Sequence, residues 1–149
     1  MPRILIVDYS RTGNTAIMVK AVEQGVKTIL DVEVDIDHGA PLEKLSAFDA
    51  ILVGTPTYHH DMPDAVKEPF EKAAIRNVVL KGKTGAAFGS YGWSGESPGL
   101  VIEIMKNKFE MEIPEPPVLA KYTPDQSTLE KCQTLGKRIA QKLTCWRSY

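Results

Sequence analysis

The chain has 149 residues, 43% hydrophobic and 25% charged, with 18 Lys and Arg against 19 Asp and Glu for a net charge of −1. That size predicts one domain, here 1–149, burying about two thirds of its unfolded surface. The near balance of charge excludes strong electrostatic attraction to nucleic acid or membrane, and two cysteines, Cys132 and Cys145, exclude a disulfide framework. No run approaches a membrane span, and Met1-Pro2-Arg3 leads straight into apolar sequence without a signal-like segment. A cytoplasmic location is expected.

Ile4, Leu5, Ile6 and Val7 form the first strand-like run, and Ile17, Met18, Val22, Val26 and Ile29 follow at helical spacing. Val32 to Ile36 alternates apolar and acidic residues, as a half-exposed edge strand does. A short helix or turn covers about Leu42 to Ala47. Ala50-Ile51-Leu52-Val53-Gly54 is apolar throughout, the pattern of a strand buried on both faces. Pro63 starts a helix that runs to about Ala74, Thr84 to Gly89 is a fourth strand, and Pro98 to Lys108 a further helix. Glu110 to Ile113 and Val118 to Tyr122 together supply the fifth strand. Thr123 is the expected N-cap of the last helix, with Pro124 at its first position and Asp125 in its first turn. The apolar stripe of that helix is Leu129, Cys132, Leu135, Ile139 and Leu143. Such a succession of βα units predicts a doubly wound α/β domain, a parallel sheet with helices on both faces.

Ligands in folds of this kind bind at the carboxyl ends of the strands, and three strands end in chemically distinctive loops. The first loop, Ser10-Arg11-Thr12-Gly13-Asn14-Thr15, joins a strand to a helix. Unpaired amides of a first helical turn, the helix dipole and the Ser10, Thr12, Asn14 and Thr15 side chains would suit a phosphate monoester. The same residues also suit plain N-capping. Neither a Walker loop nor Gly-x-Gly-x-x-Gly is present, which argues against nucleoside triphosphates and dinucleotides. The second loop, Thr55 to Asp61, and the third, Ser90 to Glu96, carry Tyr58 and Trp93 in polar, turn-forming sequence rather than on an apolar stripe. Two such aromatics could flank a flat heteroaromatic ring, and amides of the turn holding Gly92 and Gly95 could reach its polar edge. A phosphate at one end and a planar ring at the other describe FMN.

These motifs resemble those of short-chain flavodoxins over essentially the whole chain. Thr12-Gly13-Asn14-Thr15 is similar to the core of the flavodoxin phosphate loop. Gly89-Ser90-Tyr91-Gly92-Trp93-Ser94-Gly95-Glu96, Pro124-Asp125 and the segment from Leu129 to Ala140 look more like the flavodoxin domain of flavodiiron proteins. In those proteins the domain is joined to a diiron module that reduces oxygen or nitric oxide. No such module fits in 149 residues, so the electron-carrying part standing alone is expected. The resemblance implies the flavodoxin-like five-stranded sheet, order 2-1-3-4-5, and FMN as cofactor. It implies that Ser10, Arg11, Thr12, Gly13, Asn14 and Thr15 hold the phosphate and that Tyr58 and Trp93 flank the isoalloxazine. Pro56, Thr57 and His59 would contact the ring edge or ribityl chain, and Ser90, Tyr91, Gly92 and Gly95 the pyrimidine side.

Three departures from the family matter. His59 stands where many flavodoxins have Gly or Asn, at a backbone that turns over to accept a hydrogen bond from the semiquinone N5. A Cβ makes that turn costlier, so weaker semiquinone stabilisation is expected. The chain is nearly neutral, and Glu96 is the only carboxylate near the third loop, so a less negative second potential is expected. Arg11 lies inside the phosphate loop, where it either pairs with phosphate or, the reading we favour, points into water. Cys132 and Arg138 have the Cys-x5-Arg spacing of thiolate phosphatases, but both fall on the last helix. His59, His60 and Asp61 are consecutive and ill-suited to one metal ion; no metal site is expected. A receiver domain would need a phosphoacceptor Asp where Gly54 and Thr55 stand. The favoured function is an electron carrier between a reductase and an acceptor. The alternatives are an FMN-dependent NAD(P)H or quinone reductase and an FMN-binding sensor or assembly subunit.

Overall fold

The computed structural model describes residues 1–9, 13–38, 42–56, 64–92 and 95–145. Five parallel strands, β1 (Arg3–Asp8), β2 (Glu33–Asp37), β3 (Ala50–Gly54), β4 (Thr84–Tyr91) and β5 (Val118–Lys121), lie in the order β2-β1-β3-β4-β5. The helices are α1 (Gly13–Lys27), α2 (Asp64–Ile75), α3 (Glu96–Asn107) and α4 (Gln126–Cys145), with a 3₁₀ turn at Leu42–Ala47. The expected α/β fold and strand order are those observed. No helix among the described residues is long and apolar enough to cross a membrane.

The uninterrupted apolar strands follow from having both faces covered. Side chains alternate across each strand, so Ile4, Ile6, Leu52 and Phe88 pack with Met18, Val22, Val26, Cys132, Leu135 and Ile139 on the α1 and α4 side. Leu5, Val7, Ile51 and Val53 pack with Leu45, Phe48, Leu80, Val101 and Met105 on the other. Ile17, placed on the helical stripe from spacing, is 43% exposed, because Gly13 starts α1 with Thr15, Met18 and Val22 on its inner side.

Two sequence expectations need correction. Glu110 to Ile113 is not half of a strand: it contributes one parallel bridge, Thr84 to Glu112, and β5 proper begins at Val118. Pro114, Pro116 and Pro117 cannot donate ladder hydrogen bonds, which breaks the pairing between the two halves. The last helix begins at Gln126, capped by Asp125 rather than Thr123. The Thr128 amide donates to Asp125 Oδ1 at 2.8 Å and the Leu129 amide to the Asp125 carbonyl at 3.0 Å, which leaves Pro124 outside the helix.

The Thr128 amide bond holds the Asp125 carboxyl below its ordinary value of 3.8. A depressed carboxyl stabilises the fold above its ordinary pKa and loses that contribution as pH falls through the folded-state value. Asp125→Ala is therefore expected to lower Tm at pH 7 and to make little difference at pH 2. An equal loss at both values, in thermal scans followed by circular dichroism, would exclude a capping role for the charge.

Candidate functional site

At the carboxyl end of the sheet, β1 runs through Asp8 and Tyr9 toward the start of α1, and the Tyr9 amide donates to the Gly54 carbonyl at 3.0 Å. This ties the end of β1 to the end of β3. Burial, with the Asp37 carboxylate as a second cause, pushes the Tyr9 phenol far above its usual range, so it stays protonated while its ring packs on the β-sheet face shared with α2 and α3. Thr55 leaves β3 with its amide donating to the Phe88 carbonyl at 2.9 Å, and its hydroxyl lies 3.0 Å from the buried Ser97 hydroxyl at the start of α3.

Across this end, Thr15 and Ser90 meet. Both are buried; their hydroxyls lie 2.9 Å apart, and the Ser90 amide donates to Thr15 Oγ1 at 3.2 Å. They stand 75 residues apart in sequence, yet this pair fixes the first turn of α1 against the end of β4.

The N-terminus of α1 suits an external anion. No acidic residue lies in its first turn, whereas α3 carries Glu96 in its own and α4 is capped by Asp125. A carboxylate in the first turn would neutralise the dipole from within; α1 carries none there. Gly13 is exposed, and a Cβ placed there would meet nothing within 4 Å among the described residues. A phosphate group fits this donor set.

The third loop is shaped by glycine. A Cβ on Gly95 would come 3.1 Å from the Tyr91 ring and 3.4 Å from Leu119, and one on Gly92 would lie 3.4 Å from the Tyr122 ring. Aromatic rings thus line the backbone on each side of the turn. Of the residues singled out from sequence, Gly13, Asn14, Thr15, Pro56, Ser90, Tyr91, Gly92 and Gly95 are described, and the ends of β1, β3 and β4 bring their elements to one edge of the sheet. Ser10, Arg11, Thr12, Thr57, Tyr58, His59 and Trp93 lie outside the described residues, as do His60, Asp61 and Pro63.

Sequence reasoning passed over Asp8 and Ser97. Asp8 is a buried carboxylate at the end of β1, with His38 Nδ1 at 3.7 Å from its Oδ2. His38 has no partner along the chain; the parallel pairing of Val7 with Asp37 is what brings it there. An acid closing an apolar strand was the available signal for Asp8. Nothing local marks Ser97.

The thiolate alternative does not survive the geometry. Cys132 is fully buried in the core, and burial pushes its thiol up to about 12. The Arg138 guanidinium points elsewhere, with Nη1 3.3 Å from Glu115 Oε2. Because the folded-state pKa is raised from its ordinary 9.0, the thiol's contribution to stability is full below pH 9 and is lost as pH climbs toward about 12. Cys132 is expected to resist iodoacetamide at pH 8 in the native protein and to react fully in urea, as read by peptide mapping. Rapid labelling with unchanged circular dichroism would contradict its burial. Among the described residues, no group of His, Cys, Asp or Glu is arranged to hold a metal ion.

A parallel sheet whose first crossover opens a helix with no carboxylate in its first turn, beside a glycine turn lined with aromatics, is the architecture of a flavin-mononucleotide-binding α/β domain. The flavodoxin family model matches residues 6–136. The type A flavoprotein fprA of Rhodobacter capsulatus is 37% identical over 147 residues, covering 95% of this chain and 33% of the relative. The anaerobic nitric oxide reductase flavorubredoxin of Escherichia coli O1:K1 is 32% identical over 148 residues, covering 94% of this chain and 30% of the relative. A solved flavodoxin from the domain Archaea superposes with a TM-score of 0.85 at 32% identity, covering 95% of this chain and 99% of that one. The chain belongs to the flavodoxin family, and it is an FMN-binding electron-transfer domain. It spans about a quarter to a third of the length of the curated relatives it matches.

Proposed function

We propose that residues 1–149 form one FMN-binding domain that works as an electron carrier, accepting electrons from a reductase and passing them to a protein acceptor. The observation that carries the reading is the Thr15–Ser90 junction, which joins a helix N-terminus open to an anion to the loop expected at the ring. When bound, FMN supplies the one- and two-electron chemistry. The chain's part is to bind, orient and shield it.

In this reading the first-turn amides of α1, from Gly13, Asn14 and Thr15, take the phosphate, together with Ser10, Arg11 and Thr12. Tyr58 and Trp93 flank the ring. Pro56, Thr57 and His59 approach its edge or the ribityl chain, while Ser90, Tyr91, Gly92 and Gly95 serve the pyrimidine side. The strand-end hydrogen bonds at Tyr9 and Thr55 fix the points where the chain leaves β1 and β3, so the site is built out from the sheet. The match over 99% of the archaeal flavodoxin supports the carrier role. The names of the longer relatives suggest an acceptor in nitric oxide or oxygen reduction. A cytoplasmic location belongs to the same proposal.

The test is direct. Apo protein offered FMN should quench its fluorescence and retain yellow colour after desalting. The loaded protein should accept electrons from dithionite yet oxidise NADH or NADPH only slowly, with or without quinone. Fast quinone-linked turnover would end the carrier reading, and failure to take up FMN would end both. Thr15→Val keeps the shape but removes the acceptor for the buried Ser90 amide. It is expected to cost about 1–3 kcal/mol in urea unfolding and to weaken FMN binding. Wild-type stability and binding would show that the junction is not needed.

A further inference from the structure

Four residues other than glycine have left-handed backbone: Asp31 (φ 63°), Asn77 (φ 55°), Glu110 (φ 54°) and Tyr122 (φ 57°) among the described residues. The first three follow α1, α2 and α3, at the end of the sheet away from the site, where a left-handed residue is a common way to stop a helix. Tyr122 differs on every count. It is aromatic, follows a strand rather than a helix, and sits at the carboxyl end of β5, beside the third loop.

Its backbone is held there by a 2.6 Å hydrogen bond from the Tyr122 amide to the Tyr91 carbonyl, one step beyond the Tyr91–Lys121 pairing. The left-handed turn ends β5 and lays the ring against Gly92, where a Cβ on the glycine would lie 3.4 Å from Cε1 and 3.9 Å from Cδ1. The Lys121 ammonium stands 5.9 Å from the ring centroid. Tyr122 is nonetheless 63% exposed, so its ring contributes little to the core. A large, exposed side chain held in a left-handed conformation costs stability, and such outliers cluster where a ligand is gripped.

We propose that Tyr122 is a positioning residue for FMN: its ring braces Gly92, fixing the turn that meets the pyrimidine side of the flavin. This rests on the FMN reading of the third loop and adds a residue outside all three binding loops. The bond to the Tyr91 carbonyl sets where the chain leaves β4, and the ring packs on Gly92 immediately beyond it. Removing the ring frees the Gly92 backbone without opening the core.

Tyr122→Gly separates the two roles. Glycine adopts φ near 57° without strain, which offsets the added freedom of the unfolded chain, so apo stability should stay close to wild type. FMN binding, followed by fluorescence quenching, should weaken about five- to tenfold, the size of one lost aromatic contact. The visible circular dichroism of the bound flavin should change as well. Tyr122→Phe keeps the ring and should restore both. Tyr122→Gly that binds FMN like the wild type would overturn the inference, as would a fall in apo stability matching the loss in affinity, which marks a merely structural role. Wild-type protein that takes up no FMN would instead sink the FMN reading and this inference with it.

Discussion

Gly136→Ala is expected to destabilise the protein by about 2 kcal/mol, although alanine is the better helix former. In α4, a Cβ at 136 would lie 2.1 Å from the Val22 carbonyl oxygen of α1; in α1, a Cβ at Gly25 would lie 1.9 Å from the Gln133 carbonyl oxygen of α4. Each glycine lets its helix rest on the backbone of the other, and backbone cannot turn aside as a side chain can. Overpacking costs about 1–3 kcal/mol, and these contacts belong at its upper end, while the gain in helix propensity is only about 1 kcal/mol. The clash wins. Tm should fall by roughly 4–8 °C for a chain of this size. Gly25→Ala should behave alike, and the double variant should cost less than the sum, because the first Cβ already separates the helices. Gly99→Ala in α3, where a Cβ meets nothing within 4 Å among the described residues, is the control and should be neutral or stabilising. A Tm for Gly136→Ala at or above that of wild type would show that the helices part without cost.

The second large effect belongs to Gly89→Ala, and it should strike the site as well as the fold. A Cβ there would lie 1.8 Å from the Thr55 carbonyl oxygen and 2.7 Å from its carbon. Thr55 is buried where the chain leaves β3, its amide bonded to the Phe88 carbonyl and its hydroxyl paired with Ser97. Displacing it strains β4 and endangers two buried hydrogen bonds, each worth about 1 kcal/mol. With the steric cost, the total should reach about 3 kcal/mol. The second and third loops spring from this junction, so FMN affinity should fall at least about tenfold, or 1.4 kcal/mol. Urea unfolding of the apo form and FMN titration of the same sample measure the two effects. Reduced stability with wild-type affinity would mean that the loops keep their places independently of the β3–β4 junction.

Much of the fold is legible because burial on both faces writes itself into composition. Ala50 to Gly54 is apolar at every position and is the central strand; Ile4 to Val7 is its neighbour. The stripe Cys132, Leu135, Ile139 survives as the buried face of α4. Boundaries were harder. Thr123 and Asp125 are both good caps by type, and only the 2.8 Å bond from the Thr128 amide decides between them. Ile17 reads as core by spacing and is exposed, because the helix phase is set by where α1 begins. The first loop was singled out from its own residues, and Ser10, Arg11 and Thr12 lie outside the described residues. The Thr15–Ser90 junction was not singled out, since its partners lie 75 residues apart.

By itself the sequence determined the parallel α/β class, the strand order through family likeness, and the three loops that gather FMN's candidate ligands. Those are local facts: periodicity, turn chemistry and a short phosphate-loop motif. Only the tertiary structure decided which hydroxyl meets which amide, why Gly25, Gly89 and Gly136 tolerate no Cβ, and that Tyr122 braces Gly92. The reason is physical. Propensity and hydrophobic pattern act over a few neighbouring residues, whereas close backbone approach and buried hydrogen bonds depend on the distance between segments far apart in the chain.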